Sequence, residues 1–216
     1  RRHCGEGADE LGCLDTTAAH ERRGTFSDMV RRVAESVSIP FTVGGGISSL
    51  DDAAALLDAG ADKITVNSAA VANPSLVSEI ASKYGSQFVV VAIDAKTVDD
   101  GSWRITTHGG SRLTDIELFE WARRVQDLGA GEILFTSMNH DGTRSGYPCD
   151  TYAALASLLD IPVIASGGAG SVKDIADVLT DGRADAALAA SIFHYGEITI
   201  DALKRQLSEL NIPVRL

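Results

Sequence analysis

The chain repeats itself at an offset of 122 residues, as from Pro40 to Pro162, and this repeat constrains the fold more than any other feature. The other paired positions are Gly45-Gly46 with Gly167-Gly168, Ser49 with Ser171, and, after one added residue, Asp62 with Asp185 and Ser68 with Ser191. The chain therefore consists of two related halves, and we place the boundary between them near residue 86.

Within each half, apolar runs alternate with amphipathic stretches. The predicted strands are 10–14, 39–43, 63–66, 88–93, 132–136, 162–165 and 186–189. Their near-continuous apolar character is typical of parallel strands that helices cover on both faces. Strand, turn, helix and strand in this order indicate parallel β/α units. We predict an α/β fold, a (β/α)8 TIM barrel built from two half-barrel repeats, with residues 1–216 as one domain.

The repeat also predicts how the chain begins. The strand 88–93 opens the second half, and its counterpart 122 residues earlier would lie upstream of Arg1. Residues 1–5 then resemble the last turn of the following helix. Barrels of this kind have about 250 residues, so 216 residues fall short by roughly one β/α unit. We expect an N-terminally truncated, incomplete barrel without its first strand and most of its first helix.

Composition limits the classes of function. The 19 Lys and Arg residues against 30 Asp and Glu give a net charge of -11, which argues against nucleic acid or an anionic membrane as a partner. The three cysteines, Cys4, Cys13 and Cys149, show neither a CxxC pair nor a metal-ligand spacing. A reduced, cytoplasmic setting is expected, and neither a metal nor a cofactor is predicted.

A glycine-rich turn follows a strand and precedes a helix in each half, at 43–49 and 166–171. Glycines let backbone amides approach an anion, and helix N-termini favour negative charge. The next strand of each half ends in small polar residues, at 67–70 and 189–191. We predict one phosphate pocket in each half, which suits a ligand with a phosphate at each end. The alternative is that these turns only reverse the chain.

Three aspartates, Asp15, Asp94 and Asp141, stand where an apolar strand gives way to a loop. The carboxyl ends of barrel strands carry the catalytic residues, and a carboxylate there can act as a general acid or base. The alternative for each aspartate is a role in capping its loop.

Several segments together resemble the cyclase subunit of imidazole glycerol phosphate synthase. They are FTVGGGI at 41–47, ADKITVNSAA at 61–70, VAIDA at 91–95, THGG at 107–110, GAGEIL at 129–134, DGT at 141–143 and ADAALAASIFH at 184–194. The related aminoimidazole carboxamide ribonucleotide isomerase shares the half-barrel repeat and the DGT loop. It is not expected to have the THGG segment or the AASIFH ending, so the resemblance favours the cyclase.

The resemblance implies a lyase of histidine biosynthesis. Ammonia reacts with a linear bisphosphorylated ribulosyl formimino intermediate, and an imidazole ring closes as the intermediate splits. The two expected phosphate sites are Gly46, Asn67 and Ser68 for one end, and Gly142, Gly168 and Ser191 for the other. Asp15 and Asp141 are expected to bind substrate as well. Thr136, Ser137 and Ser166 are expected to face the mouth and to hydrogen-bond the ribose or the forming ring.

In the family, two aspartates on the first and fifth strands perform the acid and base steps. Asp94 matches the fifth-strand aspartate, and its partner would lie upstream of Arg1. The resemblance therefore implies that this chain has little or no cyclase activity. Two alternatives stay open, a non-catalytic phosphate-binding fragment and the isomerase.

The resemblance also implies a partner, a glutaminase subunit that docks on the N-terminal face of the barrel and supplies ammonia. We expect this partner to be a separate chain in a heterodimer. Glu10, Lys63 and Glu132 begin their strands and are predicted to form a gate for ammonia, with a structural salt-bridge layer as the alternative. Asp62 is predicted to lie at the partner interface.

Overall fold

A computed structural model describes residues 7–14, 23–194, 196 and 198–216 of the chain. The chain divides into two compact units. The first unit comprises Arg1–Val91 and Leu128–Gly131, and the second comprises Ala92–Asp127 and Glu132–Leu216.

The first unit is a parallel β/α sheet. Its elements are β1 (Leu11–Leu14), α1 (Arg23–Ala34), β2 (Phe41–Gly44), α2 (Leu50–Asp58), β3 (Lys63–Val66), α3 (Ser68–Ala72), α4 (Ser75–Tyr84), a 3-10 turn (Ser86–Phe88) and the start of β4 (Val89–Thr97). The strand order is β1, β2, β3, β4, and every pair is parallel. All four residues of β2 are buried, as expected for a strand with helices on both faces.

The second unit joins a parallel sheet to an antiparallel hairpin. Its elements are the end of β4, β5 (Trp103–Thr107), β6 (Arg112–Glu117), α5 (Leu118–Asp127), β7 (Glu132–Ser137), α6 (Cys149–Leu158), β8 (Val163–Ser166), α7 (Val172–Thr180), β9 (Ala186–Ala187), α8 (Ser191–His194) and α9 (Ile200–Glu209). Strands β7, β8 and β9 are parallel. Strand β5 lies antiparallel between β4 and β6.

The backbone confirms the sequence repeat. In the first unit Leu11 pairs with Phe41, and in the second unit Ile133 pairs with Val163, which are the same two positions in the two repeats. The residue that caps the following helix also adopts the same conformation in both copies. Ser49 has φ −150 and ψ 166, and Ser171 has φ −150 and ψ 167. Both capping side chains accept a hydrogen bond from the backbone N three residues later, so each copy begins its helix in the same way.

The fold confirms the predicted α/β class, and each unit has the parallel β/α order of a half-barrel. All seven predicted strands are present, with ends displaced by a few residues. The largest difference is in β4, which continues to Thr97 because it also forms the first arm of the hairpin. The final helix α9 ends at Glu209, and Asn211 has a positive φ of 59, which suits a residue just past a helix. No helix among the described residues is long and apolar enough to span a membrane.

Candidate functional site

In the first unit, the glycine turn lies between β2 and α2. Gly45 and Gly46 have φ values of 115 and 65, a region that glycine enters without strain. The Asp52 carboxylate accepts hydrogen bonds from the backbone N and the hydroxyl of Ser48, at 2.8 and 3.0 Å. The turn therefore leads into the nine-residue helix α2 along a fixed path.

The polar cluster that follows β3 lies beside this turn. Gly44 pairs with Thr65 in the sheet, and a Cβ added to Gly44 would stand 1.9 Å from the Thr65 hydroxyl oxygen. The two strands thus approach closely only because position 44 has no side chain. Asn67 follows β3 directly, and Ser68 begins α3; both are half-buried. The structure therefore brings Gly46, Asn67 and Ser68 to neighbouring strand ends within the first unit.

In the second unit, the equivalent turn contacts the loop after β7. Gly167 and Gly168 have φ values of 78 and 138. The Gly146 amide donates a 3.0 Å hydrogen bond to the Gly168 carbonyl, and a Cβ on Gly168 would stand 2.3 Å from the Gly146 carbonyl oxygen. The DGT loop is thus seated directly on the glycine turn, and glycine is required at position 168 for this contact.

The residues predicted for the second phosphate pocket lie around this contact. Asp141 and Gly142 are exposed in the same loop, and Gly142 has a φ of 72. Ser191 begins α8 after a segment in which the Leu188 carbonyl accepts a 3.2 Å hydrogen bond from the Tyr147 hydroxyl. The loop after β7 therefore contacts the turn after β8 and also the segment that leads to Ser191.

Asp94 lies in β4, opposite Thr106 of β5. The Thr106 hydroxyl donates a 3.1 Å hydrogen bond to the Asp94 carbonyl, so the hairpin fixes the backbone at this carboxylate. Trp103 anchors the hairpin by packing edge-on against Phe135 of β7, with ring centroids 5.5 Å apart. The Asp94 side chain is half-buried. It is therefore accessible to a ligand, while the hairpin contacts hold its backbone in place.

Thr136 and Ser166 are paired in register on β7 and β8, and Thr136 is half-buried. The expectation that Ser137 faces the mouth beside Thr136 is wrong. Ser137 is fully buried, and its hydroxyl lies 2.7 Å from Nδ1 of His140. Successive residues of a strand point to opposite faces, so Thr136 and Ser137 cannot share one face.

Tyr152 supports the same strand ends and was not predicted from the sequence. Its buried hydroxyl accepts a 3.1 Å hydrogen bond from the Ser166 backbone N and lies 2.8 Å from the Phe135 carbonyl, to which it can donate. Burial raises the pKa of Tyr152 well above its usual value, so the hydroxyl stays protonated. The available signal was a tyrosine four residues before the apolar run 153–156 ends, because a buried tyrosine hydroxyl requires a hydrogen-bond partner.

Of the predicted gate residues, Lys63 and Glu132 begin their strands as expected, and Glu10 immediately precedes β1. In the first unit Lys63 forms a 2.9 Å salt bridge with Glu10, and the Thr42 hydroxyl also donates to Glu10. Glu132 begins β7 in the second unit and is half-buried. Asp62 is exposed, and its carboxylate accepts a 2.8 Å hydrogen bond from the Phe41 backbone N. The gate and interface roles stay predictions.

Asp15, predicted to bind substrate, lies outside the described residues. Within the described part of the chain, no group of three or more His, Cys, Asp or Glu residues could hold a metal ion.

Comparisons with known proteins give consistent matches. Residues 1–199 match the family described as "Histidine biosynthesis protein". The imidazole glycerol phosphate synthase subunit HisF of Phocaeicola vulgatus is 56% identical over 216 residues, covering 100% of this chain and 86% of the relative. The subunit of the same name from Bacteroides fragilis is 54% identical, with 100% and 86% covered. That from Flavobacterium johnsoniae is 55% identical, with 98% and 84% covered.

Proposed function

The chain belongs to the HisF family of imidazole glycerol phosphate synthase subunits, and from this membership we propose that it catalyses the cyclase step of histidine biosynthesis. In this step ammonia reacts with a linear bisphosphorylated ribulosyl formimino intermediate. The imidazole ring closes, and the intermediate splits into imidazole glycerol phosphate and aminoimidazole carboxamide ribonucleotide. The enzyme is thus a lyase that builds one ring and releases two products.

One observation carries the proposal: each unit has a glycine turn at the same repeat position, followed by a helix with the same serine cap. Each copy therefore presents backbone amides and a helix N-terminus, a combination that favours a phosphate. Two such sites suit a substrate that carries a phosphate at each end. We assign one end to Gly46, Asn67 and Ser68, and the other to Gly142, Gly168 and Ser191.

Asp94 is the proposed acid and base. Ring closure by ammonia requires proton removal from nitrogen and proton delivery to the leaving group, and a carboxylate can perform both in turn. The support for this role is its place on β4, where the Thr106 hydroxyl holds the Asp94 backbone. Thr136, Ser166 and Asp141 would then contact the central part of the substrate.

We further propose that a glutaminase subunit supplies the ammonia, since the relatives are named as subunits of imidazole glycerol phosphate synthase. The Lys63–Glu10 salt bridge lies at the start of strands β1 and β3, where ammonia would enter from the N-terminal side. Both side chains are partly exposed, so breaking this ion pair would cost little free energy. Exposed Asp62 is the proposed contact for a basic residue of the partner.

The test is ammonium-dependent consumption of the bisphosphorylated substrate by the 216-residue chain, with release of both products followed by chromatography. We expect consumption to require ammonium and to be lost in Asp94→Asn. A folded chain that consumes no substrate at any ammonium concentration would overturn the proposal.

A further inference from the structure

The loop after β7 is tied to the last residue of that strand by three hydrogen bonds. The Ser137 carbonyl accepts from the backbone N of His140 at 3.1 Å and from that of Asp141 at 2.9 Å. The Ser137 hydroxyl lies 2.7 Å from Nδ1 of His140. Ser137 itself is fully buried, so the imidazole is the side chain that satisfies this hydroxyl.

His140 also organises the residues that follow it. Its carbonyl accepts hydrogen bonds from the backbone N and the hydroxyl of Thr143, at 3.1 and 2.8 Å. The side chain of His140 is thus directed to the strand end, while its carbonyl closes the turn that contains Asp141 and Gly142. His140 therefore holds both ends of this turn, one through its side chain and the other through its carbonyl.

The far end of the same loop is fixed separately. The Gly146 amide donates to the Gly168 carbonyl at 3.0 Å, and a Cβ on Gly146 would stand 3.2 Å from an Asp174 carboxylate oxygen. The loop is therefore held at Ser137 and at Gly168, with residues 141–145 exposed between the two anchors. Loss of the side-chain bond between Ser137 and His140 would weaken the first anchor and allow Asp141 and Gly142 to shift, while the second anchor remained.

We propose that His140 is a positioning residue for one phosphate end of the substrate, acting through Ser137. Its imidazole does not contact the phosphate; it holds the backbone turn that presents Asp141 and Gly142. The buried Ser137 hydroxyl needs a hydrogen-bond partner, and the His140 imidazole supplies it. Because the histidine side chain has few rotatable bonds, this contact restricts the position of the residue. This inference rests on the proposed function, because the assignment of the phosphate site belongs to it.

The test compares His140→Ala, Ser137→Ala and the double variant. We expect each single variant to raise the KM for the bisphosphorylated substrate about tenfold, the effect of one lost hydrogen bond, while kcat changes less than about twofold. The double variant should be no worse than either single variant, because both remove the same interaction. His140→Gln, which keeps a polar side chain, should restore part of the affinity.

A matched control removes a hydroxyl elsewhere in the second unit. The Ser157 hydroxyl accepts a 2.9 Å hydrogen bond from the Arg183 side chain. Both residues precede strands, whereas the proposed phosphate site follows strand ends. Ser157→Ala should leave both KM and kcat unchanged. Thermal melting of every variant identifies any that fail to fold, and Ser137→Ala retains the imidazole in case His140→Ala is unstable.

A second readout does not depend on the reaction. Binding of inorganic phosphate, followed by calorimetry, should weaken about tenfold in His140→Ala and stay unchanged in Ser157→Ala. Unaltered KM and phosphate affinity in a folded His140→Ala protein, or additive losses in the double variant, would overturn the inference. If the unmodified chain binds phosphate but turns over no substrate, the proposed reaction fails, and the phosphate measurement still decides the role of His140.

Discussion

Asp62 and Asp185 hold the same place in the two repeats. The Asp62 carboxylate accepts a 2.8 Å hydrogen bond from the backbone N of Phe41, and the Asp185 carboxylate accepts one of the same length from Val163. In return, the backbone N of each aspartate donates to the carbonyl of the same partner at 2.9 Å. Each aspartate therefore links the starts of two neighbouring strands within its own unit.

This link predicts a matched loss of stability in two variants. Asp62→Ala and Asp185→Ala should each lower the free energy of unfolding by about 1 kcal/mol, because a backbone amide loses its carboxylate partner at an exposed position. Asp62→Asn and Asp185→Asn should lose less, since the amide oxygen can still accept. Urea unfolding gives the four values. If the alanine and asparagine variants unfold at equal urea concentrations, the carboxylate bond contributes nothing.

Tyr152 predicts how stability depends on alkaline pH. Burial raises its pKa above the ordinary value of 10.0, so the folded state retains a proton that the unfolded state releases. This contribution is fully present below about pH 10 and is lost as pH rises from there through the folded pKa. Tyr152→Phe should reduce the slope of unfolding free energy against pH above 10, measured by urea unfolding. Tyr147→Phe should do the same, since burial raises the pKa of Tyr147 too.

Tyr152→Phe also has a cost at neutral pH. The Ser166 backbone N would lose its acceptor within the protein, and a buried unpaired amide costs about 1–3 kcal/mol. If Tyr152→Phe matches the unmodified chain at pH 7 and retains the alkaline slope, the hydroxyl contributes neither the bond nor the titration.

Gly168 is predicted to be irreplaceable in the second phosphate site. Its φ of 138 is strained for any other residue, and an alanine Cβ would stand 2.3 Å from the Gly146 carbonyl oxygen. Gly168→Ala must therefore displace the DGT loop, and we expect KM for the substrate to rise at least about tenfold, as for a lost charge-assisted contact. Steady-state kinetics at saturating ammonium gives this value.

Gly101→Ala is the matched control for this prediction. Gly101 also has a positive φ, 81, but no atom lies within 4 Å of an added Cβ. The control therefore carries backbone strain without a clash and lies at the hairpin tip. An equal rise in KM in both variants would show that strain alone, rather than displacement of the loop, explains the effect.

Local spacing allowed much of the site to be predicted from the sequence. Ser49 and Ser171 cap their helices because a serine precedes each apolar run by a fixed number of residues, and capping depends on the backbone within one turn. The Lys63–Glu10 pair was predictable because both residues stand at the start of strands in a parallel sheet. The repeat extended every such prediction from one half to the other.

Contacts set by tertiary packing were not predictable. Thr136 and Ser137 are neighbouring polar residues, and only the pleat of β7 assigns one to each face. The bond between Tyr152 and Ser166 joins residues 14 positions apart and depends on how α6 packs on the sheet. The Asp52 carboxylate accepts from the backbone N of Ser48, one residue before the serine that caps its helix.

Asp94 provides the most direct test of the proposed chemistry. Asp94→Asn keeps the shape of the side chain and leaves the Thr106 bond to the backbone carbonyl intact. We expect kcat to fall by about 10²–10⁴-fold, the range for loss of a general acid or base, while KM changes little. Asp99→Asn changes an exposed aspartate in the hairpin turn, serves as control and should keep full activity. If kcat survives in Asp94→Asn, the proton transfer belongs to another residue, and the place of Asp94 on β4 serves only the packing of the hairpin.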